Sequence, residues 1–192
     1  MTYRLGLTGS IGMGKSTTAN MFFEAGCALW DADAAVHRLY AAGGAAVSPM
    51  RDAFPYAIKG GTVDRGALRD IISDDPTALK RIEAIVHPLV AADRAAFISD
   101  ATEDILVFDI PLLFETGGDA AMDGVAVTWA SEEIQKERVM ARGTMTHDQF
   151  TAIKAKQMPS DEKRARADFK LETDTLEHAR TQVHHVIEQI RK

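Results

Sequence analysis

The run Gly9-Ser10-Ile11-Gly12-Met13-Gly14-Lys15-Ser16 fits the pattern G-x-x-x-x-G-K-[ST]. It constrains the fold more than any other feature, because it works only as a turn from a buried strand into a helix. Both flanks comply. Tyr3 to Thr8 is short and largely apolar, as a buried strand should be. Lys15 to Glu24 carries Ala19, Phe22 and Phe23 at helical spacing, and Gly26 is placed to end that helix. The glycines permit backbone angles at which successive N–H groups point to one set of phosphate oxygens, and the helix adds its positive end. Lys15 can reach the β- and γ-phosphates of a nucleotide, and the Ser16 hydroxyl can ligate Mg²⁺. Gly9, Gly12, Met13, Gly14, Lys15, Ser16 and Thr17 are therefore the candidate nucleotide-binding residues. The dinucleotide fingerprint G-x-G-x-x-G does not fit, since Thr17 stands where its third glycine would be. The alternative is a tight strand–helix turn with no ligand.

Further apolar runs predict a parallel sheet. Cys27 to Trp30 is closed by Asp31-Ala32-Asp33, and Ile105 to Ile110 and Val125 to Trp129 follow. Ser131 is placed to cap a helix carrying Arg138 and Arg142, which lie four apart and so share a face. A closing helix shows Leu176, Ala179, Val183, Val186, Ile187 and Ile190 as a stripe. His178, His184 and His185 on that helix read as solvated surface, because their spacing is wrong for shared metal ligation. Between the second and third runs lies a long stretch without a convincing strand, with helical patterns at 79–86 and 89–98. A plain crossover needs far fewer residues. Residues 34–100 read as a mostly helical insertion, and residues 1–33 with 101–192 as the core.

Composition narrows the function classes. The chain has 192 residues, 46% apolar and 26% charged, ordinary values for a cored globular protein. Twenty-two basic residues against 28 acidic give a net charge of −6, which argues against a duplex nucleic-acid binder. Cys27 is the one cysteine, so neither an intrachain disulfide nor a cysteine-based zinc cluster can form, which suits a reducing cytoplasm. No apolar run approaches the roughly 20 residues needed to span a bilayer. The stretch 136–166 has eight basic and four acidic residues and is the candidate anion-binding region.

A phosphate loop serves kinases, switches and motors alike. No N-K-x-D segment, as a guanine-reading switch carries, is present. Asp109, after Ile105 to Phe108, resembles the acid of a Walker B strand. Short length, a helical insertion and a late arginine-bearing segment favour a small-molecule kinase, which closes a lid over ATP to exclude water.

With the loop, Asp31-Ala32-Asp33, Asp64-Arg65, His87-Pro88 and Pro111-Leu112-Leu113-Phe114-Glu115, the chain resembles the dephospho-coenzyme A kinases over nearly its full length. The set and its order carry the resemblance. It implies an α/β P-loop-type parallel sheet flanked by helices, a helical substrate-binding insertion, and a lid at about 138–166. The implied reaction is Mg²⁺-assisted transfer of the ATP γ-phosphoryl group to the ribose 3′-hydroxyl of dephospho-coenzyme A. Neither a nucleic acid nor a membrane is implied as partner. By resemblance Asp33 faces the acceptor hydroxyl, with a helix cap as its structural alternative; Arg142 is the lid arginine; Arg65, His87 and Glu115 belong to the acceptor side. Arg138 is the weaker of the two lid arginines, and a solvated position is its alternative. Two departures stand out. Met13 replaces the family's usual serine, and Thr173 with Asp174 occupies a segment where the family has an adenine-holding asparagine. The rival readings are a kinase of another nucleoside, nucleotide or small alcohol, and a nucleotide-gated binding module.

Overall fold

The computed structural model describes residues 2–192. In chain order β1 (Tyr3–Gly9), α1 (Lys15–Glu24), β2 (Ala28–Asp31), α2 (Ala32–Tyr40) and α3 (Val47–Ala53) come first. Next are β3 (Ile58–Lys59), β4 (Thr62–Val63), α4 (Arg65–Asp74) and α5 (Ala78–Asp100). The remainder comprises β5 (Ile105–Asp109), β6 (Gly124–Trp129), α6 (Glu132–Ala141), α7 (His147–Lys156), α8 (Ser160–Arg166), β7 (Phe169–Glu172) and α9 (Leu176–Ile190). The described residues divide into two compact units, one of residues 2–30 and 101–192, the other of residues 31–100. No helix among the described residues is long and apolar enough to cross a membrane.

The first unit is built on a five-stranded sheet of order β2-β5-β1-β6-β7. β1 pairs in parallel with β5 and β6, and β6 with β7. A parallel sheet is covered on both faces, and the central strands accordingly read as continuous apolar runs. Leu5, Leu7 and Ala126 point to one face, where Phe22 of α1 and Val183, Val186 and Ile187 of α9 cover them. Val125 and Val127 alternate to the other face and meet Leu113, Phe114, Met158 and Ala167. β7 has no strong sequence signal, because only four residues form it and only Leu171 of these is fully buried.

The second unit has its own core of Leu39, Met50, Phe54, Val63, Leu68, Ile82 and Val86, as an independent compact unit requires. Two expectations are corrected here. The stretch does contain strands, the hairpin β3–β4, which pairs Ile58 with Val63 and Lys59 with Thr62 around Gly60-Gly61. Two residues per strand are too few to leave a periodic trace. The two helical patterns split at His87-Pro88 are one helix, α5, with Pro88 inside. An interior proline costs about 3 kcal/mol in a helix. Burial of Ala78, Ile82 and Val86, with Ile85, Leu89 and Val90 packed alongside, offsets that cost on both sides of the proline.

Candidate active site

In the first unit the loop between β1 and α1 is held from several directions. Gly12 and Gly14 have φ of 77° and 76°, the left-handed region where side chains are strained. There is also no room at Gly12, where a Cβ would lie 2.6 Å from Val139 Cγ2. Gly14 is the N-cap of α1, and no side chain caps this end, so its first N–H groups are left for an anion. Both backbone groups of Ile11 are bonded by glutamines: its N–H donates to Gln157 Oε1 at 3.0 Å, and its carbonyl accepts from Gln135 Nε2 at 2.7 Å. Met13 is buried, and its sulfur accepts the Ala130 N–H at 3.1 Å. Its carbonyl accepts the Thr173 hydroxyl at 3.1 Å. The Met13 N–H turns inward to the Ser10 carbonyl at 3.1 Å, so with the Ile11 N–H also taken the cradle is made by the N–H groups of Gly12 and of the start of α1.

Lys15, the first residue of α1, reaches across to the carboxylate of Asp109 at the end of β5. Asp109 is buried, so the lysine ammonium supplies a cation to a carboxylate already out of water. Ser16 and Thr17 are exposed on the first turn of α1. Behind the loop lies a cavity of about 310 Å³ between α1, the end of α6 and the start of α9, lined by Thr17, Met21, Arg138, Arg142 and Leu176 among others. A larger groove of about 660 Å³ runs by Tyr3, Asp104 and Arg191, at the amino-terminal ends of β1 and β5. Ligands of open α/β sheets collect at the opposite, carboxyl edge, where the phosphate loop is.

The basic stretch is used largely for structure. Lys163, fully buried, pairs with Glu115 at 2.9 Å and donates to the Pro111 carbonyl at 3.3 Å. Glu115 Oε1 also accepts the Met158 N–H at 2.9 Å. Burial pushes the Glu115 carboxyl up, but the bonds from Lys163 and Met158 outweigh it, leaving the group below its ordinary range. Arg164 stacks over Trp129 at 4.0 Å, Arg166 pairs with Asp119, and Lys154 pairs with Glu132. Arg142, at the C-cap of α6, is exposed and makes no side-chain bond among the described residues. Arg138 is half-buried and hydrogen-bonded rather than free on the helix face. Its guanidinium donates to the Thr173 hydroxyl and to the carbonyls of Thr173 and Asp174. Sequence reasoning missed Gln135, Gln157 and the brace formed by Thr173, since none belongs to a local motif. The signal available was the departure at 173 itself.

In the second unit Asp31 caps α2, accepting the Ala34 N–H at 2.9 Å. Asp33, one helical position into the same turn, is exposed and has no hydrogen-bond partner among the described residues. Arg65 opens α4 behind its cap Asp64, and its guanidinium lies 5.8 Å from the centre of the Tyr40 ring. His87 is exposed on α5, next to Pro88, and makes no side-chain bond among the described residues.

Comparison with known proteins identifies the constellation. The family model for dephospho-CoA kinase matches residues 3–178. A dephospho-CoA kinase of Ruegeria pomeroyi is 70% identical, covering 100% of this chain and 97% of its own length. One from Cereibacter sphaeroides is 62% identical, with 99% and 96% covered. Among solved structures, TT1252 of Thermus thermophilus is 33% identical with a TM-score of 0.87, covering 98% of this chain and 97% of that one. The dephospho-CoA kinase of Campylobacter jejuni, 23% identical over 98% of this chain and 97% of its own, shares the fold at a TM-score of 0.68. With a phosphate loop, its lysine and the full-length match all in one chain, this protein belongs to the dephospho-CoA kinase family.

Proposed function

We propose that this chain transfers the γ-phosphoryl group of ATP to the ribose 3′-hydroxyl of dephospho-coenzyme A, giving coenzyme A and ADP. The observation that carries the reading is the braced phosphate loop with Lys15 at its exit, in a chain matched end to end by dephospho-CoA kinases. Phosphoryl transfer is mostly positioning and charge stabilisation. The N–H groups of Gly12 and of Gly14, Lys15 and Ser16 hold the β- and γ-phosphates, Met13 shapes the loop by donating its own N–H to the Ser10 carbonyl, and Gly9 and Thr17 close the ends of the cradle. Lys15 exchanges the Asp109 carboxylate for phosphate oxygens. Arg142, a cation with no side-chain partner among the described residues, binds two oxygens of the transferring group at once.

On the acceptor side, Asp33 orients the hydroxyl and takes its proton late in the transfer. Its carboxylate is available because Asp31 has already satisfied the helix end. Arg65 and His87 are the donors assigned to the acceptor's phosphates. Glu115 acts indirectly, by fixing the turn after β5 through Lys163. The Ser16 hydroxyl, and Asp109 through a water, are hard oxygen donors of the kind Mg²⁺ takes, and Mg²⁺ needs only one or two protein ligands. Bound there, it supplies positive charge to the β- and γ-phosphate oxygens. Residues of about 138–166 act as a lid that excludes water, and the buried, unpaired Cys27 suits work in the cytoplasm.

Thermal shift with candidate acceptors tests the substrate class. Dephospho-coenzyme A at 100 times its Kd should stabilise the fold by about 2.7 kcal/mol. Shikimate or a nucleoside monophosphate at equal concentration should leave the melting temperature unmoved. The reverse ranking would transfer the protein to another acceptor.

A further inference from the structure

Gln135 of α6 is fully buried, and only one end of its amide is matched. Nε2 donates to the Ile11 carbonyl at 2.7 Å, while the buried Oε1 has no hydrogen-bond partner. The fold gains one bond here and buries one unmatched acceptor, so stability alone is a poor reason for an amide at this position. The reason lies in what the bond does to the phosphate loop.

The Ile11 carbonyl and the Gly12 N–H belong to one peptide group. A trans peptide is planar, and its C=O and N–H point in opposite directions. No cis peptide occurs among the described residues. Drawing the Ile11 carbonyl to Gln135 therefore turns the Gly12 N–H away from that side chain. Gly12 is buried, and its N–H has no partner among the described residues, which leaves it for an acceptor from outside the chain. The preceding peptide is fixed at both ends. Its Ser10 carbonyl accepts the Met13 N–H at 3.1 Å, and its Ile11 N–H donates to Gln157 Oε1 at 3.0 Å. The Ile11–Gly12 peptide is fixed at one end only, by Gln135. Rotation of this peptide changes ψ of Ile11 and φ of Gly12, and glycine adopts φ of either sign, so the Gln135 bond selects the orientation. Val139, one turn along the same face of α6, packs where a Cβ of Gly12 would be, so this face both seats the loop and steers its peptide.

We propose that Gln135 is a positioning residue for phosphoryl transfer: through the Ile11–Gly12 peptide it aims the Gly12 N–H at the nucleotide's phosphate oxygens, where charge builds as the γ-phosphoryl group departs. The proposal rests on the phosphotransfer reading. Gln135 itself touches no substrate. A donor fixed before the reaction costs no reorganisation as charge develops, so its loss appears in kcat more than in nucleotide binding.

The test is Gln135→Met, which keeps the volume and removes the donor, assayed at saturating dephospho-coenzyme A and Mg²⁺. Removing a donor aimed at developing charge costs about 10²–10³ in kcat, and misaiming it costs part of that. The variant's kcat should fall at least about tenfold, with KM for ATP changed less than about threefold. A residue that only packs would lower the melting temperature and leave this split unmoved. A smaller fall in kcat, or a loss carried by KM, overturns the proposal and leaves the phosphotransfer reading standing. If Gln135→Met does not fold, Gln135→Asn, whose amide falls one methylene short of Ile11, is read in the same way. Amide NMR of the wild type gives a second measurement. The Gly12 N–H proton should move downfield when MgADP binds, and an unmoved proton overturns the proposal. If the wild type yields no coenzyme A from MgATP, the phosphotransfer reading fails, and the role of Gln135 in it fails too.

Discussion

Asp31 accepts the backbone N–H of Ala34 at 2.9 Å, and this bond separates two carboxylates that the sequence places two residues apart. One cap satisfies the helix end. Asp33 is thereby released from structural duty.

Asp33→Asn should lower transfer to dephospho-coenzyme A by roughly 10²–10⁴-fold, the usual range for a positioned acid–base group, with ATP affinity nearly unchanged. Asp31→Ala should instead cost about 1 kcal/mol of stability and little turnover. Steady-state kinetics and urea melts of the two variants check both halves. An unimpaired Asp33→Asn enzyme would remove the catalytic assignment.

Lys15→Ala should abolish turnover at saturating ATP, and the structure adds a second effect. Asp109 loses its lysine partner, so the variant should also melt at lower temperature, since truncating one member of a buried pair is strongly destabilising. Adding Asp109→Asn should restore most of the melting temperature and none of the activity. Recovery of activity in the double variant would contradict the role given to Lys15.

Arg142→Lys keeps a positive charge and loses the planar fork. Turnover should fall at least tenfold, with acceptor KM changed less than about threefold, as expected for a group acting on the transferring phosphoryl group. A raised acceptor KM with intact kcat would place Arg142 in the acceptor site.

Glu115→Ala leaves Lys163, fully buried, with only the Pro111 carbonyl, and should destabilise the fold at neutral pH by about 3–5 kcal/mol. The carboxyl sits below its ordinary range when folded, so its contribution is complete above the unfolded value of about 4.3. It is lost as pH falls through the lower, folded value. The gap between wild type and Glu115→Ala in urea midpoint should therefore shrink from pH 7 to pH 3. A gap independent of pH would refute the charged pair.

Much of the donor half was legible in sequence, because the phosphate loop is a contiguous motif whose glycines, lysine and serine each have a local physical reason. The central strands were legible for a similar reason, as unbroken apolar runs. What escaped depends on contacts distant along the chain. Arg138 reads in sequence as a weak lid arginine or a solvated one, because its partners, Thr173 and Asp174, come 35 and 36 residues later. Gln157 reaches Ile11 across 146 residues. Helix α5 reads in sequence as two patterns, 79–86 and 89–98, because local propensity does not include the packing of Ile82 and Val86. The basic stretch read as an anion site, whereas Lys163 and Arg166 face Glu115 and Asp119.

Phosphoryl transfer to dephospho-coenzyme A is measured most directly in the product itself. Incubation with MgATP and dephospho-coenzyme A, followed by mass spectrometry and ³¹P NMR, should show coenzyme A carrying a new ribose 3′-monophosphate in equal amount to ADP. ADP formed with dephospho-coenzyme A unchanged would contradict the account and leave a nucleotide-hydrolysing binding protein in its place.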